Sequence, residues 1–213
     1  MTRTATARKP RASSQARIGQ ILAAARELLG SLGFTGLTIY AVAERAGIPP
    51  SSVYHFFANV PALLEALTAD IHAAFRACLL QPVEHAGLHG WRDLARIIEQ
   101  RTLTIYASDS AARQLILAQH GLAEVTRADQ QHDLELGRLM QALYERHFPL
   151  PQLPEDVDVF ALAIELADRV YARSMQLHGE ITPRMAEEGM RVFETYLALY
   201  LPPALPKREH PLA

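Results

Sequence analysis

Apolar residues spaced by three and four, with no alternating run of useful length, leave this chain one architecture, helices packed on helices. The pattern starts with Ile18, Ile21, Leu22, Ala25, Leu28 and Leu29, which fall on one face of a helix running to about Leu32. Ser13 or Ser14 can cap its start, and Gly33 can end it by taking a left-handed conformation. Thr38 is a suitable N-cap for the short segment IYAVAERA, which Gly47 stops. Pro50 fits the first turn of a third helix, where its missing N–H has no partner to lose, and it holds Pro49 extended. Asn59 can cap a fourth helix, through ALLEALTADIHAAFRACLL to Pro82. Further helical stretches follow over about 91–107, 110–120, 124–147, 156–178 and 183–201, with prolines at 149, 151, 154, 202, 203 and 206 as breaks. The expected fold is all-α, an N-terminal three-helix helix-turn-helix domain over 14–60 and a larger helical bundle over 61–201. A flexible basic arm (1–13) and a flexible tail (202–213) are expected to flank them.

Charge is divided along the chain. Residues 1–58 carry seven Arg and Lys against two Glu, while the whole chain has a net charge of −2, so the remainder is acidic. A basic head on an acidic body points to a polyanion met by the head alone. The single cysteine, Cys78, excludes an internal disulfide and a cysteine-based metal cluster. The basic N-terminus has no apolar core of a secretory signal. The longest apolar runs, VFALAI and YLALYL, fall far short of the roughly 20 residues a membrane-spanning helix needs. A cytoplasmic location is expected.

Two short helices joined by a tight Gly-containing turn read as a helix-turn-helix, whose second helix must present small and polar side chains to approach base edges. In PPSSVYHFF the spacing turns Val53 and Phe57 inward and leaves Ser51, Ser52 and His55 outward, with Tyr54 along the edge. Helix N-termini also offer free N–H groups to phosphate, which suits Thr38 and Ser51. The segment GFTGLTIYAVAERAGIPPSSVYHFFANVPALLEAL resembles the N-terminal domain of the TetR family of bacterial transcriptional regulators. The resemblance is carried by Gly33, Phe34, Thr38, Val42, Ala43, Ala46, Gly47, Tyr54, Phe57, Leu63 and Leu64. It implies a homodimer on double-stranded DNA, with contacts at Thr38, Ser51, Ser52 and Tyr54. Phe56 and Val60 depart from the family, which has a histidine or tyrosine and a lysine there, both often on phosphate. The expected compensation comes from the arm residues Arg3, Arg8, Lys9 and Arg11, or from His55.

In the body, DVDVFALAIELADRVYARSMQLH is apolar over a wide arc, as a helix buried on two sides must be. One side can meet the core and the other a second copy of the chain. Phe160, Ile164, Tyr171 and Met175, with Val192, Phe193 and Tyr196 of the last helix, are the expected dimer surface, and Gly189 allows close approach. The resemblance also implies a pocket for a small effector. Phe75, Cys78, Tyr106, His120, Met140 and Tyr144 combine apolar bodies with polar tips and are its candidates. Few charges fall on inward faces, which favours a largely apolar or aromatic effector.

Enzyme chemistry finds no support in the sequence: G-x-S-x-G, H-E-x-x-H and paired E-x-x-H motifs are absent. His85 and His89 are four apart but flank Gly87 in a loop, and Glu165 and Asp168 share a helical face with Arg169 and Arg173 near enough for ion pairs. No catalytic residue, metal or cofactor is expected. The function expected is a sequence-specific DNA-binding regulator, a repressor released from a palindrome by a small effector. The alternatives are a ligand-independent architectural or adaptor protein and, behind it, a helical enzyme.

Overall fold

The computed structural model describes residues 12–117 and 123–211, without the side chains of Ala12 and of 123–130. Arg3, Arg8, Lys9, Arg11 and His120 therefore lie outside the described residues. Among the described residues every regular element is helical, and none is long and apolar enough to cross a membrane. The chain divides into two compact units, Met1–Leu67 and Thr68–Ala213. The division falls within the fourth helix.

The first unit holds α1 (Ala12–Gly36), α2 (Ile39–Ala46), α3 (Pro50–Phe56) and the opening turns of α4 (Val60–Leu79). Its punctuation follows local chemistry. Gly33 breaks α1 at φ 68°, ψ −170°, a conformation open to glycine alone. The Thr38 hydroxyl accepts from the Ala41 amide at 3.0 Å, and Asn59 Oδ1 accepts from the Ala62 amide at 2.9 Å. Gly47, left-handed at φ 65°, ψ 34°, closes α2 while the Ile48 amide returns to the Ala43 carbonyl at 3.0 Å. Ile21, Ala25, Leu28, Leu29, Ile39, Val42, Ala43, Val53 and Leu63 fill the core. Gln20 Nε2 also ties α1 to the last turn of α2 by donating to the Ala46 carbonyl at 2.6 Å.

The second unit holds the rest of α4, α5 (Trp91–Ser108), α6 (Ser110–Ala112), α7 (Ala123–His147), α8 (Val159–His178) and α9 (Pro183–Leu197). The single helix expected over 110–120 is instead α6, capped by the Asp109 carboxylate, passing directly into a π-helical stretch at Arg113–Leu117. Arg113 reaches back to the Tyr106 and Ala107 carbonyls at the end of α5.

The α8 helix packs against both α7 and α9. Two glycines set how closely. A Cβ on Gly137 of α7 would stand 2.6 Å from the Ala161 amide nitrogen of α8, and one on Gly189 of α9 would overlap the Tyr171 ring.

This packing corrects the expected dimer surface. Phe160, Ile164, Tyr171 and Phe193 are all buried within the chain, with Phe160 against Tyr144 at 4.9 Å between ring centroids. An α8 apolar on two sides carries no sequence mark of which side meets its own core. Met175, Val192 and Tyr196 are half-buried. The outward stripe is Leu162, Leu166, Val170 and Leu177, of which Leu162 and Leu177 are 36% and 55% exposed.

The expected flexible tail is pinned over 202–208. Trp91, fully buried at the start of α5, donates Nε1–H to the Pro202 carbonyl at 2.9 Å. Lys207 donates to the His85 carbonyl, and Arg208 to the Glu145 carbonyl. His85 meets His147, not His89, with 2.8 Å between their Nδ1 atoms.

Gly137→Ala tests the α7–α8 notch. Alanine gains about 1 kcal/mol in helix propensity, but the new methyl meets backbone, where overpacking costs about 1–3 kcal/mol. The expected net result is a lower Tm and denaturation midpoint. Gly87→Ala, with open space around its Cβ position, should stay within about 0.5 kcal/mol of the parent. A Gly137→Ala protein as stable as the parent would contradict the notch.

Candidate nucleic-acid interface and ligand cavity

The head's outward face is built on α3. Val53 is fully buried and Phe57 nearly so, which turns Ser51, Tyr54 and His55 to solvent and leaves Ser52 half-buried. Pro50 starts this helix, and the Ser52 amide donates to the Pro49 carbonyl at 2.9 Å. Ser51, Ser52, His55 and Phe56 line a shallow open concavity together with Ser13, Ser14 and Arg17 of α1. Arg17 is exposed, and its guanidinium donates to Gln20 Oε1 at 2.9 Å. The concavity thus combines four hydroxyls, an imidazole and a guanidinium, groups that suit phosphate and base-edge contacts.

The sequence points to the arm for added phosphate contacts and gives Ser13 or Ser14 only a capping role; both instead lie within α1, and with Arg17 they line the concavity. Ser14 and Arg17 stand seven and four residues ahead of Ile21, on the same side of α1, so periodicity alone marks them only as the polar start of its apolar stripe. Tyr40 was not among the expected contacts. It is 67% exposed on α2, and its ring meets that of Tyr54, 47% exposed, edge-on at 6.4 Å. Thr38, also exposed, uses its oxygen for the α2 cap and keeps its hydroxyl proton as a donor. Phe57 packs inward as aromatics at helical spacing do. Phe56 stays half-buried, edge-on to the His55 ring at 4.9 Å.

The body contains a narrow slot lined from α4, α5, α7 and α8, with Ile116 contributed by the π-helical stretch. Of the candidates, Phe75, Cys78, Tyr106 and Met140 line it. Tyr144 does not; it is core, and its buried hydroxyl has no hydrogen-bond partner among the described residues. The cavity between its walls is small, about 30 Å³. The slot therefore has to widen before an organic molecule of ordinary size can enter.

Its polar lining went unseen in the sequence. Glu99, Arg101, His132, Asp133 and Asp168 all face it. Glu99 is wholly buried and accepts the Tyr171 hydroxyl at 2.5 Å. Burial drives its carboxyl up to about 7, against the opposing effect of that hydrogen bond. Asp168, which shares a helical face with Glu165 and from sequence is expected to pair with Arg169 or Arg173, accepts the Tyr106 hydroxyl at 2.9 Å. His132 stacks on His72 with 3.7 Å between centroids, and neither of its buried ring nitrogens has a partner among the described residues. The sequence signal for these groups was only Glu99 and His132 at helical positions among apolar neighbours. No group of three possible metal ligands occurs among the described residues.

Comparison with known proteins accounts for the head and the fold. Residues 21–67 match the sequence model of bacterial regulatory proteins of the tetR family, and no curated protein matches the chain. A TetR-family transcriptional regulator from Streptomyces coelicolor superposes with a TM-score of 0.68 at 24% identity, covering 87% of this chain and 99% of its own. A TetR regulator from Rhodococcus sp. RHA1 gives 0.61 at 18% identity, covering 87% and 97%. The multidrug binding protein EbrR, complexed with imidazole, gives 0.63 at 20%, covering 88% and 97%. At these identities the likeness of the body is one of fold. Residues 21–67 thus carry the helix-turn-helix domain found in bacterial regulatory proteins of the tetR family, and the body shares the all-helical fold of the TetR-family structures.

Proposed function

We propose that the protein is a dimeric repressor that leaves a palindromic operator when a small effector enters the slot of its body. The slot carries this reading: a cavity with unpartnered buried polar atoms is costly to keep in a purely structural bundle. Phe75 and Cys78, which line it, stand on α4, and the first turns of that same continuous helix belong to the DNA-binding unit. An effector bound there can bias the head only through its different affinity for two conformations.

On DNA, Ser51, Ser52 and His55 read bases in the major groove. Thr38, Tyr54, Tyr40 and Arg17 hold phosphates, and the arm residues Arg3, Arg8, Lys9 and Arg11 add phosphate or minor-groove contacts. The second copy docks on the outward stripe of α8. The resemblance of fold to EbrR, a multidrug binding protein, supports an organic effector. The narrowness of the slot favours the rival reading, a DNA-binding protein without ligand response, and release from DNA by a compound separates the two.

Selection of bound sequences from random DNA at two salt concentrations tests the head. The expected product is a palindrome with half-sites about one helical turn apart; enrichment of nothing would refute sequence-specific binding. Arg17→Ala should weaken binding to every sequence alike and lower the salt slope by about one. Removal of residues 1–12 should lower it by roughly two to four. His55→Ala should relax preference at one position per half-site, at a cost of about 1–3 kcal/mol.

The dimer has its own test in sedimentation. Leu162→Glu with Leu177→Glu should yield a helical monomer, whereas Phe193→Glu, which places a charge in the chain's own core, should unfold the protein. A double variant that remains dimeric would move the interface elsewhere.

A further inference from the structure

We propose that the ligand of the slot is an organic cation, a flat apolar body carrying a protonated nitrogen. This rests on the reading of the slot as an effector site and names its chemistry. Three carboxylates, Glu99, Asp133 and Asp168, line the slot against one cation, Arg101. That cation is already engaged: its guanidinium donates to the carbonyls of Gln81 at 3.0 Å and Pro82 at 2.8 Å, beyond the end of α4. Its otherwise largely aliphatic walls hold three rings, with Phe75 and Tyr106 5.3 Å apart and His132 6.3 Å from Phe75. Ring faces beside carboxylates in a site shielded from water attract a cation twice over.

His132 is the independent observation. It is 5% exposed, and both of its ring nitrogens are without partners among the described residues. Burial, with His72 and Arg76 close by, holds its pKa down to about 3. The ring is therefore neutral, with one nitrogen able to accept an N–H from the ligand. A neutral hydrocarbon would strip water from these groups and return nothing. An anion would add like charge to Asp133 and Asp168, and to Glu99 whenever it is ionised.

Glu99 gives the proposal a signature in pH. It accepts the Tyr171 hydroxyl of α8 and lies near Tyr144 of α7, which Glu194 of α9 also approaches, while Arg101 of α5, His132 and Asp133 of α7 and Asp168 of α8 line the same slot. His72 and Arg76 of α4 adjoin His132, and Arg76 is paired with Glu135 at 3.2 Å. Glu194 is paired with Arg96 at 3.2 Å. With its pKa raised to about 7, Glu99 is partly protonated at neutral pH in the free protein. A cation beside it favours the ionised form, so binding releases a proton, and affinity rises as pH increases from 6 to 8.

The experiment is calorimetric titration of the full-length protein with 2-naphthylmethylamine, 2-naphthylmethanol and 2-naphthoate, which share one aromatic body. At pH 8 the amine, still protonated, should bind about tenfold or more tightly than the alcohol, and the carboxylate more weakly than either. The amine's affinity should rise severalfold between pH 6 and 8, with proton release visible as a dependence of the heat on buffer. Glu99→Gln should lower amine affinity about tenfold, remove the pH dependence and leave the alcohol within about twofold. Asp168→Asn, at a half-buried site, is the second variant; it should weaken the amine and keep the pH dependence.

Binding of the alcohol or carboxylate as tightly as the amine, abolished by a slot-filling Cys78→Phe, would overturn the cation and leave the effector slot standing. Amine binding unchanged in both acid variants would overturn the assigned anchors, and with them the proposal. Failure of all three compounds to bind, or binding indifferent to Cys78→Phe, would overturn the effector slot as well.

Discussion

The Tyr171 ring seated against Gly189 fixes the body of this protein. A side chain at 189 would occupy the place of the ring, so α9 can approach α8 here only because that position is bare. The fit buries Tyr171 completely and carries its hydroxyl to Glu99 on α5. One turn earlier on α8, Asp168 accepts the Tyr106 hydroxyl, also from α5. Two tyrosine–carboxylate bonds thus hold α5 to α8, one directed each way. Gly137 performs the complementary task on the opposite side, letting α7 lie against the backbone of α8 at Ala161. Since α7 brings His132 and Met140 to the slot, both glycine notches set where its walls stand.

Those contacts explain why a carboxylate persists in the interior. A buried charge without a partner is expensive, and the protein meets the cost by letting Glu99 hold its proton until about pH 7. Tyr171 supplies one hydrogen bond, which lowers the cost without removing it. His132 solves the same problem differently, remaining neutral and stacking on His72. Hydrophobic residues of similar volume would satisfy packing better than either group. Polar side chains kept at such positions in a slot with three rings in its walls make chemical sense as anchors for something that binds.

The head was legible in sequence because its features are local. Thr38, Gly47, Pro50 and Asn59 act on backbone within four residues of themselves, and each takes the capping or turn role its chemistry favours. The buried and exposed positions of α3 follow from a single periodicity across seven residues. The place of Ser13, Ser14 and Arg17 beside α3 was not legible because they join it across a tertiary gap of more than thirty residues. The body was legible only as helices. Periodicity identified α8 as buried on two sides but could not orient it, since Phe160, Ile164 and Tyr171 resemble Leu162, Leu166 and Val170 in hydrophobicity. Four of the six cavity candidates do line the slot, yet Asp133 and Asp168 sit at positions that read as ordinary helix surface.

The tightness of the slot bears on how a ligand could act. Space for little more than a water molecule cannot accept an aromatic body, so binding and opening must occur together. A ligand that enters only an opened slot has, by that fact, strongly different affinities for the closed and open forms. Moving a population from 1:99 to 99:1 takes a difference of roughly ten-thousandfold, or about 5.5 kcal/mol. Charge-assisted hydrogen bonds, at about 1.5–3 kcal/mol each, reach that figure with two or three anchors, about as many as the slot can offer from Glu99, Asp168 and His132. An apolar ligand of the same size would draw on buried area alone and leave those groups desolvated. On the proposed reading, the narrow slot would make binding conditional on a change of shape, and its acidic lining would supply energy toward that change.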